Sequence, residues 1–395
     1  MTQHMPYEVI PYGRQDINQA DIDSVAAVLR ADFLTQGPVV PAFERAVARY
    51  CGARHSVATN SATSALHVAC LALGVGPGDV VWTTPITFVA SANCALYCGA
   101  TVDFVDIDPR TYNMCPERLA EKLEQAEKSG KLPKVVIPVH MCGQSCDMAA
   151  IHALAVRYGF KVIEDASHAI GGSYRGDPVG CGRYSDITVF SFHPVKIVTA
   201  GEGGMALTND DGLARRMALA CSHGITSTAS EMTSRPTEEM WNYQQISLGF
   251  NFRMTDILAA LGLSQMQRLD DFVTARHAIA DRYEEWLDGL PIVRPYQQPD
   301  ARSSYHLYVI RLKPEDVKRS QREIYESLHA AGIRVNLHYI PVYRQPYYEA
   351  FGFRPGYCPA AEQYYREAMS IPMYPQLTQE QQRRVVDLMK KAMSI

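Results

Sequence analysis

The sequence predicts an α/β protein: a mostly parallel sheet covered by helices on both faces, followed by a smaller α+β unit. Three observations predict it. From Ser56 to Thr208 short β-like runs alternate with helix-like runs, the rhythm of parallel strands joined by crossover helices. After Pro295 the rhythm changes to a shorter mixture of strand and helix. Of the 395 residues 47% are hydrophobic and 20% charged, which supplies a large core in a globular chain.

Taken in order, the chain opens with a helix over Asp16–Arg30, in which Ile17, Ile22, Val25, Ala26 and Leu29 share a face and Asp16 or Asn18 caps the start. A polar turn at Leu34–Pro38 leads to a helix over Val40–Cys51. Seven strands follow, at Ser56–Ala58, Val80–Thr84, Thr101–Val105, Val135–Val139, Lys161–Glu164, Ile187–Phe192 and Met205–Thr208. Helices are expected between them at Thr63–Leu73, Val89–Tyr97, Pro116–Gly130 and Met148–Tyr158. The run Met254–Leu290 reads as long and helical. Beyond it, Tyr305–Leu312 and Ile333–Leu337 read as strands, and Ser320–Ala331, Ala360–Met369 and Thr378–Met393 as helices. The division is placed within 255–290, giving a large domain over 1–255 and a small one over 256–395.

Composition excludes several function classes. The formal net charge is −4 and no basic run stands out, so neither nucleic acid nor an anionic membrane is the expected partner. No apolar run reaches the ~18 residues of a membrane span. The first residues, MTQHMPYEVIPYGRQD, lack the basic-then-apolar layout of a signal peptide, so a cytoplasmic protein is expected. The ten cysteines are scattered singly; Cys142 and Cys146 form the closest polar pair, and there is no CxxC. Free thiols and no metal site are expected.

The chemistry centres on Phe190–Gly204, FSFHPVKIVTAGEGG. Lys196 follows an apolar strand, where burial lowers an amine's pKa and favours the neutral nucleophile that forms Schiff bases with carbonyls. Gly201, Gly203 and Gly204 let the backbone turn beside it. Upstream, Asp165 directly follows the strand Lys161–Glu164, so its carboxylate is expected to emerge at the edge of the sheet where ligands bind. A lysine Schiff base with an acid on a pyridine nitrogen is the arrangement that pyridoxal phosphate (PLP) uses. Glu164 alternates to the other face. His168 is placed to contact the ring or its phenolic oxygen, and Phe88 to stack on it. Asn60–Ala65 lies between strand and helix, where helix N–H groups and dipole attract an anion; Ser191 adds a hydroxyl. Each feature also has a plainer reading: a solvated loop lysine, an aspartate capping the next turn, an ordinary N-cap, a core phenylalanine, a satisfied histidine. The chain has no P-loop, HExxH or GxSxG motif, and Gly201–Gly204 precedes a strand rather than a helix, unlike a dinucleotide fingerprint.

Together and in this order, LTQGP (34–38), NSATSALH (60–67), TTPITFVASAN (83–93), EDASHAIGG (164–172), FSFHPVK (190–196), GEGG (201–204), SHGI (222–225), GFNFRMTDI (249–257) and HYIPVYRQPYY (338–348) resemble the DegT/DnrJ/EryC1/StrS sugar aminotransferases over nearly the whole chain. The resemblance implies a PLP-dependent fold-type I architecture. It implies Lys196 as Schiff-base lysine, Asp165 as pyridinium partner, His168 and Phe88 flanking the ring, and Ala62, Thr63 and Ser191 on the phosphate. Some relatives carry His in place of the lysine and dehydrate; Lys196 implies transamination. It further implies a homodimer with composite active sites, Asn251 reaching the neighbouring subunit's phosphate with Arg253 beside it. Tyr12, Thr35, Gln36, Ser61, Arg253, His338, Tyr339 and Tyr343 fall among the implied substrate contacts. His140–Gly143 replaces a Phe-Ala-Gly of relatives, leaving that wall unassigned. The SHA after Asp165, SFHPVK, SSYHLY (303–308) and HYIPVY are most similar to the family's pseudaminic acid branch. That branch moves an amino group from L-glutamate to C4 of a UDP-linked 4-keto-6-deoxy-N-acetylamino sugar. Other nucleotide ketosugars, transfer to C3, and a non-catalytic nucleotide-sugar sensor are the alternatives.

Overall fold

The computed structural model describes residues 8–233 and 241–393; the first seven residues of the opening segment lie outside this range. All seven expected strands form one sheet, in the spatial order His55–Thr59, Gly204–Thr208, Ile187–Ser191, Lys161–Asp165, Val135–Ile137, Val80–Thr83, Thr101–Phe104. Every neighbouring pair is parallel except the two made by Gly204–Thr208, which runs antiparallel to both partners. Crossover helices at Ala62–Ala72, Ala90–Tyr97, Pro116–Ser129 and Met148–Tyr158 cover it. Strand residues such as Val136, Ile163, Val189 and Ala206 are wholly buried, as a sheet covered on both faces requires.

The first helix, Gln19–Leu29, turns part of its apolar face outward. Ile22 and Leu29 are 53% and 58% exposed, whereas Asp21 is 1% exposed. Asn18 and Asp21 form a capping box, so the cap is Asn18 rather than Asp16. Asp21 also accepts from Arg268 (2.6 Å) and Gln265 (2.7 Å), and this polar clasp sets which side turns inward.

The long helical run is two helices, Asp256–Met266 and Leu269–Trp286. The first packs on Gln19–Leu29 and Val39–Cys51, in the layer over the large sheet. The second crosses between two cores: Leu269, Phe272 and Val273 pack with Phe190 and Phe192, while Ile279, Ala280 and Tyr283 pack with Ile310 and Val385. We therefore propose a domain boundary inside Leu269–Trp286 rather than at residue 255.

The C-terminal unit has a three-stranded antiparallel sheet, Ile292–Val293, Tyr308–Leu312 and Ala368–Ile371, backed by Gln321–Ala330 and Gln379–Met393. Two expectations fail here. The helix expected over Ala360–Met369 ends at Glu367, because the fully buried Ala368–Ile371 pairs with the edge of Tyr308–Leu312. The strand expected over Ile333–Leu337 is not one; its backbone makes only isolated bridges, Ile333 to Ile10 and Asn336 to Ser370.

Candidate active site

The carboxyl ends of the central strands open into a cavity of about 880 Å³. Lys196 lies on its wall, in the turn after Ile187–Ser191. Among the bonds that hold that turn are Lys196 N–H to His193 O and Ala200 N–H to Phe192 O, both 2.9 Å. Burial of the ammonium brings the Lys196 pKa down to about 8, opposed by the negative charge of Asp165. A substantial neutral fraction at neutral-to-basic pH is what a lysine nucleophile needs.

Asp165 ends its strand 4% exposed, with each oxygen held. Oδ1 accepts from the Ser167 N–H (3.1 Å) and Oδ2 from the Ser91 hydroxyl (2.6 Å). The Thr87 and Ser91 hydroxyls are 2.7 Å apart, so with Ser91 donating to Asp165, Thr87 donates to Ser91. Glu164 points to the other side of the sheet, where His140 Nε2 lies 2.7 Å from Oε2 and the Ser185 and Thr188 hydroxyls donate to Oε1.

The anion cradle is built by one helix start. Ser61 caps Ala62–Ala72 by accepting from the Ser64 N–H (3.2 Å). A helix leaves its first N–H groups without internal partners, and with Ser64 satisfied those of Ala62 and Thr63 remain for a ligand. Gly204 packs against this corner: an added Cβ would sit 2.5 Å from Ala62 N and from Ser61 C and O. Its role is close approach, not a left-handed turn; among Gly201, Gly203 and Gly204 only Gly201 has positive φ. Ser191, 7% exposed, lines the same end.

The opposite wall comes from distant segments. Tyr12, His306, His338 and Tyr339 all line the cavity. His338 Nδ1 lies 2.7 Å from Ser370 Oγ, and the Tyr364 hydroxyl donates to His338 O (2.6 Å). The His168 and His306 rings are 4.3 Å apart, and Nδ1 of each is buried without a partner. Burial, reinforced by the Lys196 charge, holds both imidazoles well below the ordinary pKa, and takes His338 down to about 3. All three are neutral across the physiological range.

The cavity thus gathers Lys196, Asp165, His168, Phe88, Ser61, Ala62, Thr63, Ser191, Tyr12, His338 and Tyr339 from the expected set. Tyr343 is a correction: it is fully buried in the core beside Phe104 and Phe353, donating to Glu362 (2.7 Å), away from the cavity. Thr35 and Gln36 are exposed outside the cavity, where Thr35 bridges Thr255. Asn251 and Arg253 also lie outside this chain's cavity, with Arg253 donating to Ser222 Oγ (3.0 Å). Sequence reasoning missed Ser91, whose signal was a hydroxyl four residues after Thr87 within an apolar helix start. It also missed His306, read as an interior strand residue although the strand begins at Tyr308. The unassigned wall is a close approach: a Cβ on Gly143 would meet Ser304 Oγ at 2.5 Å and His168 O at 3.0 Å.

The model of the DegT/DnrJ/EryC1/StrS aminotransferase family matches residues 15–390. The chain belongs to that family. This aminotransferase is 37% identical over 384 residues to the spore coat polysaccharide biosynthesis protein SpsC of Bacillus subtilis, covering 96% of each chain. It is 36% identical over 381 residues to the UDP-4-amino-4,6-dideoxy-N-acetyl-beta-L-altrosamine transaminase of Campylobacter jejuni, again over 96% of each. Among solved structures it is similar to Helicobacter pylori PseC, an aminotransferase involved in the biosynthesis of pseudoaminic acid. The TM-score is 0.89 and the identity 29%, over 98% of this chain and 99% of that one.

The aminotransferase uses PLP, and its cavity fits the cofactor. The helix start, against which only a glycine at 204 can pack, offers the Ala62 and Thr63 N–H groups to a phosphate, Asp165 offers a held carboxylate, Lys196 a low-pKa amine, and His168 a buried Nδ1 without a partner. Among the described residues no helix is long and apolar enough to cross a membrane.

Proposed function

We propose that this aminotransferase moves the amino group of L-glutamate to C4 of a UDP-linked 4-keto-6-deoxy-N-acetylamino sugar, giving UDP-4-amino-4,6-dideoxy-N-acetyl-β-L-altrosamine for pseudaminic acid synthesis. The observation that carries it is the likeness to the Campylobacter transaminase over 96% of both chains, with Lys196 and Asp165 at one cavity.

When bound, PLP supplies a carbonyl for amine exchange and an electron sink. The residues divide the remaining work. Lys196 would hold the cofactor covalently, and its amine, which a pKa of about 8 leaves partly neutral, would serve as the proton carrier at donor Cα and at sugar C4. Asp165, fixed by Ser91 and Ser167, would keep a proton on the pyridine nitrogen. Ala62 and Thr63 N–H groups and Ser191 bind the phosphate, with Ser61 shaping the loop. His168 would contact the phenolic oxygen, and Phe88, which lies 6.3 Å from Tyr339 by ring centroids, would bound the ring. Tyr12, His338 and Tyr339 orient the sugar.

We further propose a homodimer with composite sites working in the cytoplasm. Exposed Ile22, Leu29, Trp241 and Leu248 favour a covered face, and Asn251 and Arg253, outside their own cavity, would serve the partner's. Free thiols at all ten cysteines suit a reducing compartment. Thr35 and Gln36 belong to the same proposal, as sugar contacts completed across the dimer.

The test is a panel of UDP-, dTDP- and GDP-linked 4- and 3-ketosugars with L-glutamate. The UDP 4-ketosugar is expected to give the highest kcat/KM; a dTDP or GDP sugar winning would reject the substrate. Mixing Lys196→Ala with Asn251→Ala subunits is expected to restore activity if sites are composite, and no restoration would reject that arrangement.

A further inference from the structure

One buried cation plays no part in the site as assigned. Arg276, on helix Leu269–Trp286, is 1% exposed, and no carboxylate pairs with it among the described residues. Burying a guanidinium without an acid is costly unless hydrogen bonds compensate. Here a single nitrogen, Nη1, donates to three main-chain carbonyls, Tyr305 O, His306 O and Met373 O, each at 3.1 Å. Burial alone lowers its pKa to about 9.

These carbonyls belong to two loops, and both shape the sugar-facing wall. Residues 303–306 carry His306 into the cavity, and Ser304 Oγ donates to His168 O (2.9 Å). The Met373 N–H donates to Tyr12 O (2.9 Å), which fixes the segment bearing the Tyr12 side chain. Tyr305 holds a left-handed φ of 49°, a conformation a tyrosine rarely adopts without outside support. Neighbours on the same helix add to the grip: His277 Nε2 lies 2.8 Å from Ser303 O, and the Tyr283 hydroxyl donates to Pro372 O (2.9 Å). Ordinary structural arginines pair with acids; this one is spent on the backbone behind two substrate-side residues.

We propose that Arg276 is a positioning residue for the sugar-binding wall, its guanidinium holding the 303–306 and 372–373 loops so that His306 and Tyr12 stand in the cavity. This rests on the site assigned above. It acts chiefly on the sugar side: none of the hydrogen bonds that hold Lys196, Asp165 or the phosphate cradle involves Arg276, and its link to the cofactor side runs through the Ser304 bond to His168 O.

The test uses the PLP-loaded enzyme with Arg276→Lys and Arg276→Met, and His306→Gln alone and combined with Arg276→Lys. With the UDP 4-ketosugar, Arg276→Lys is expected to raise the sugar KM about ten-fold while kcat/KM for L-glutamate changes less than about three-fold. Lysine keeps the charge but not the planar donor group. The double variant is expected to be little worse than His306→Gln, since residues acting as one unit are non-additive. Equal losses for both substrates, an unchanged sugar KM or full additivity would overturn the proposal. Amide hydrogen exchange provides the arm that needs no substrate. In Arg276→Lys, exchange is expected to rise at Met373 and in residues 303–306, the two loops that Arg276 holds, and to stay unchanged in 187–191. Unchanged exchange in the two loops would overturn the anchor even if the ketosugar were wrong, whereas inactivity of the wild type on that sugar would reject only the substrate.

Discussion

The two walls of the cavity are built by different means. The cofactor side is made by strand ends and one helix start, and its geometry comes from the ladder of a seven-stranded sheet. Asp165 and Ser191 stand on adjacent parallel and antiparallel rungs whose register is fixed along the strands, and Lys196 follows five residues beyond Ser191. The sugar side is made by Tyr12, His306, His338 and Tyr339, which lie in irregular backbone held by side chains 26 to 97 residues away in the chain. A periodic scaffold suits a cofactor that never changes; loops pinned by a few side-chain bonds suit a substrate that differs between relatives.

The comparison breaks first, and hardest, at Lys196. Lys196→Ala is expected to lower turnover at least about a thousand-fold, as loss of both nucleophile and proton carrier requires, while pyridoxamine phosphate still binds. Assay and cofactor titration check it; near-normal turnover would move the chemistry elsewhere.

Gly204→Ala comes next. Its Cβ would press on the Ser61–Ala62 peptide at 2.5 Å, and overpacking against backbone costs about 1–3 kcal/mol. Cofactor affinity is expected to fall roughly ten- to hundred-fold, read by equilibrium dialysis, with the sugar KM of the reconstituted enzyme little changed.

Ser91→Ala sharpens the same wall. It removes a hydrogen bond to a buried carboxylate, worth about 2 kcal/mol, and is expected to lower kcat roughly ten-fold with the sugar KM unchanged. On the other wall Tyr339→Phe is expected to do the opposite, raising the sugar KM a few-fold and leaving the L-glutamate reaction nearly intact.

The smallest effects are in pH. Schiff-base formation by the apoprotein should climb through about pH 8, where Lys196 loses its proton, rather than near its ordinary 10.5. His338 has a folded pKa of about 3 against 6.5. Below pH 6.5 the unfolded chain therefore binds a proton the folded chain refuses, so this stability is present above pH 6.5 and lost as pH falls toward 3. The unfolding temperature should drop between pH 7 and 5, and less so in His338→Gln.

The same contrast explains what the sequence made legible. A strand announces itself by apolar runs and its end by the first polar residue, so Asp165, Lys196 and the Ala62–Thr63 helix start could be read locally. Register then brings them together without further information. Nothing local marks Arg276, which sits in a helix among ordinary charged residues, or His306, which interrupts an apolar run that otherwise continues as strand. Their roles depend on contacts 29 to 97 residues apart. Tyr343 shows the reverse error: a tyrosine in a site motif that the fold turned inward to pack on Phe104. The first helix shows the same dependence on distant contacts: Ile22 and Leu29 face outward because the Asp21 clasp with Arg268 sets how the helix is turned.

The most direct test is the visible absorption of the PLP-loaded wild type and of Lys196→Ala as L-glutamate is added. The account predicts that the wild-type band decays to the pyridoxamine form and that a UDP-linked 4-ketosugar restores it, while the variant completes neither change. A wild type without a lysine-linked band, or a variant that cycles like it, would contradict the assignment of Lys196 and of the cavity built around it.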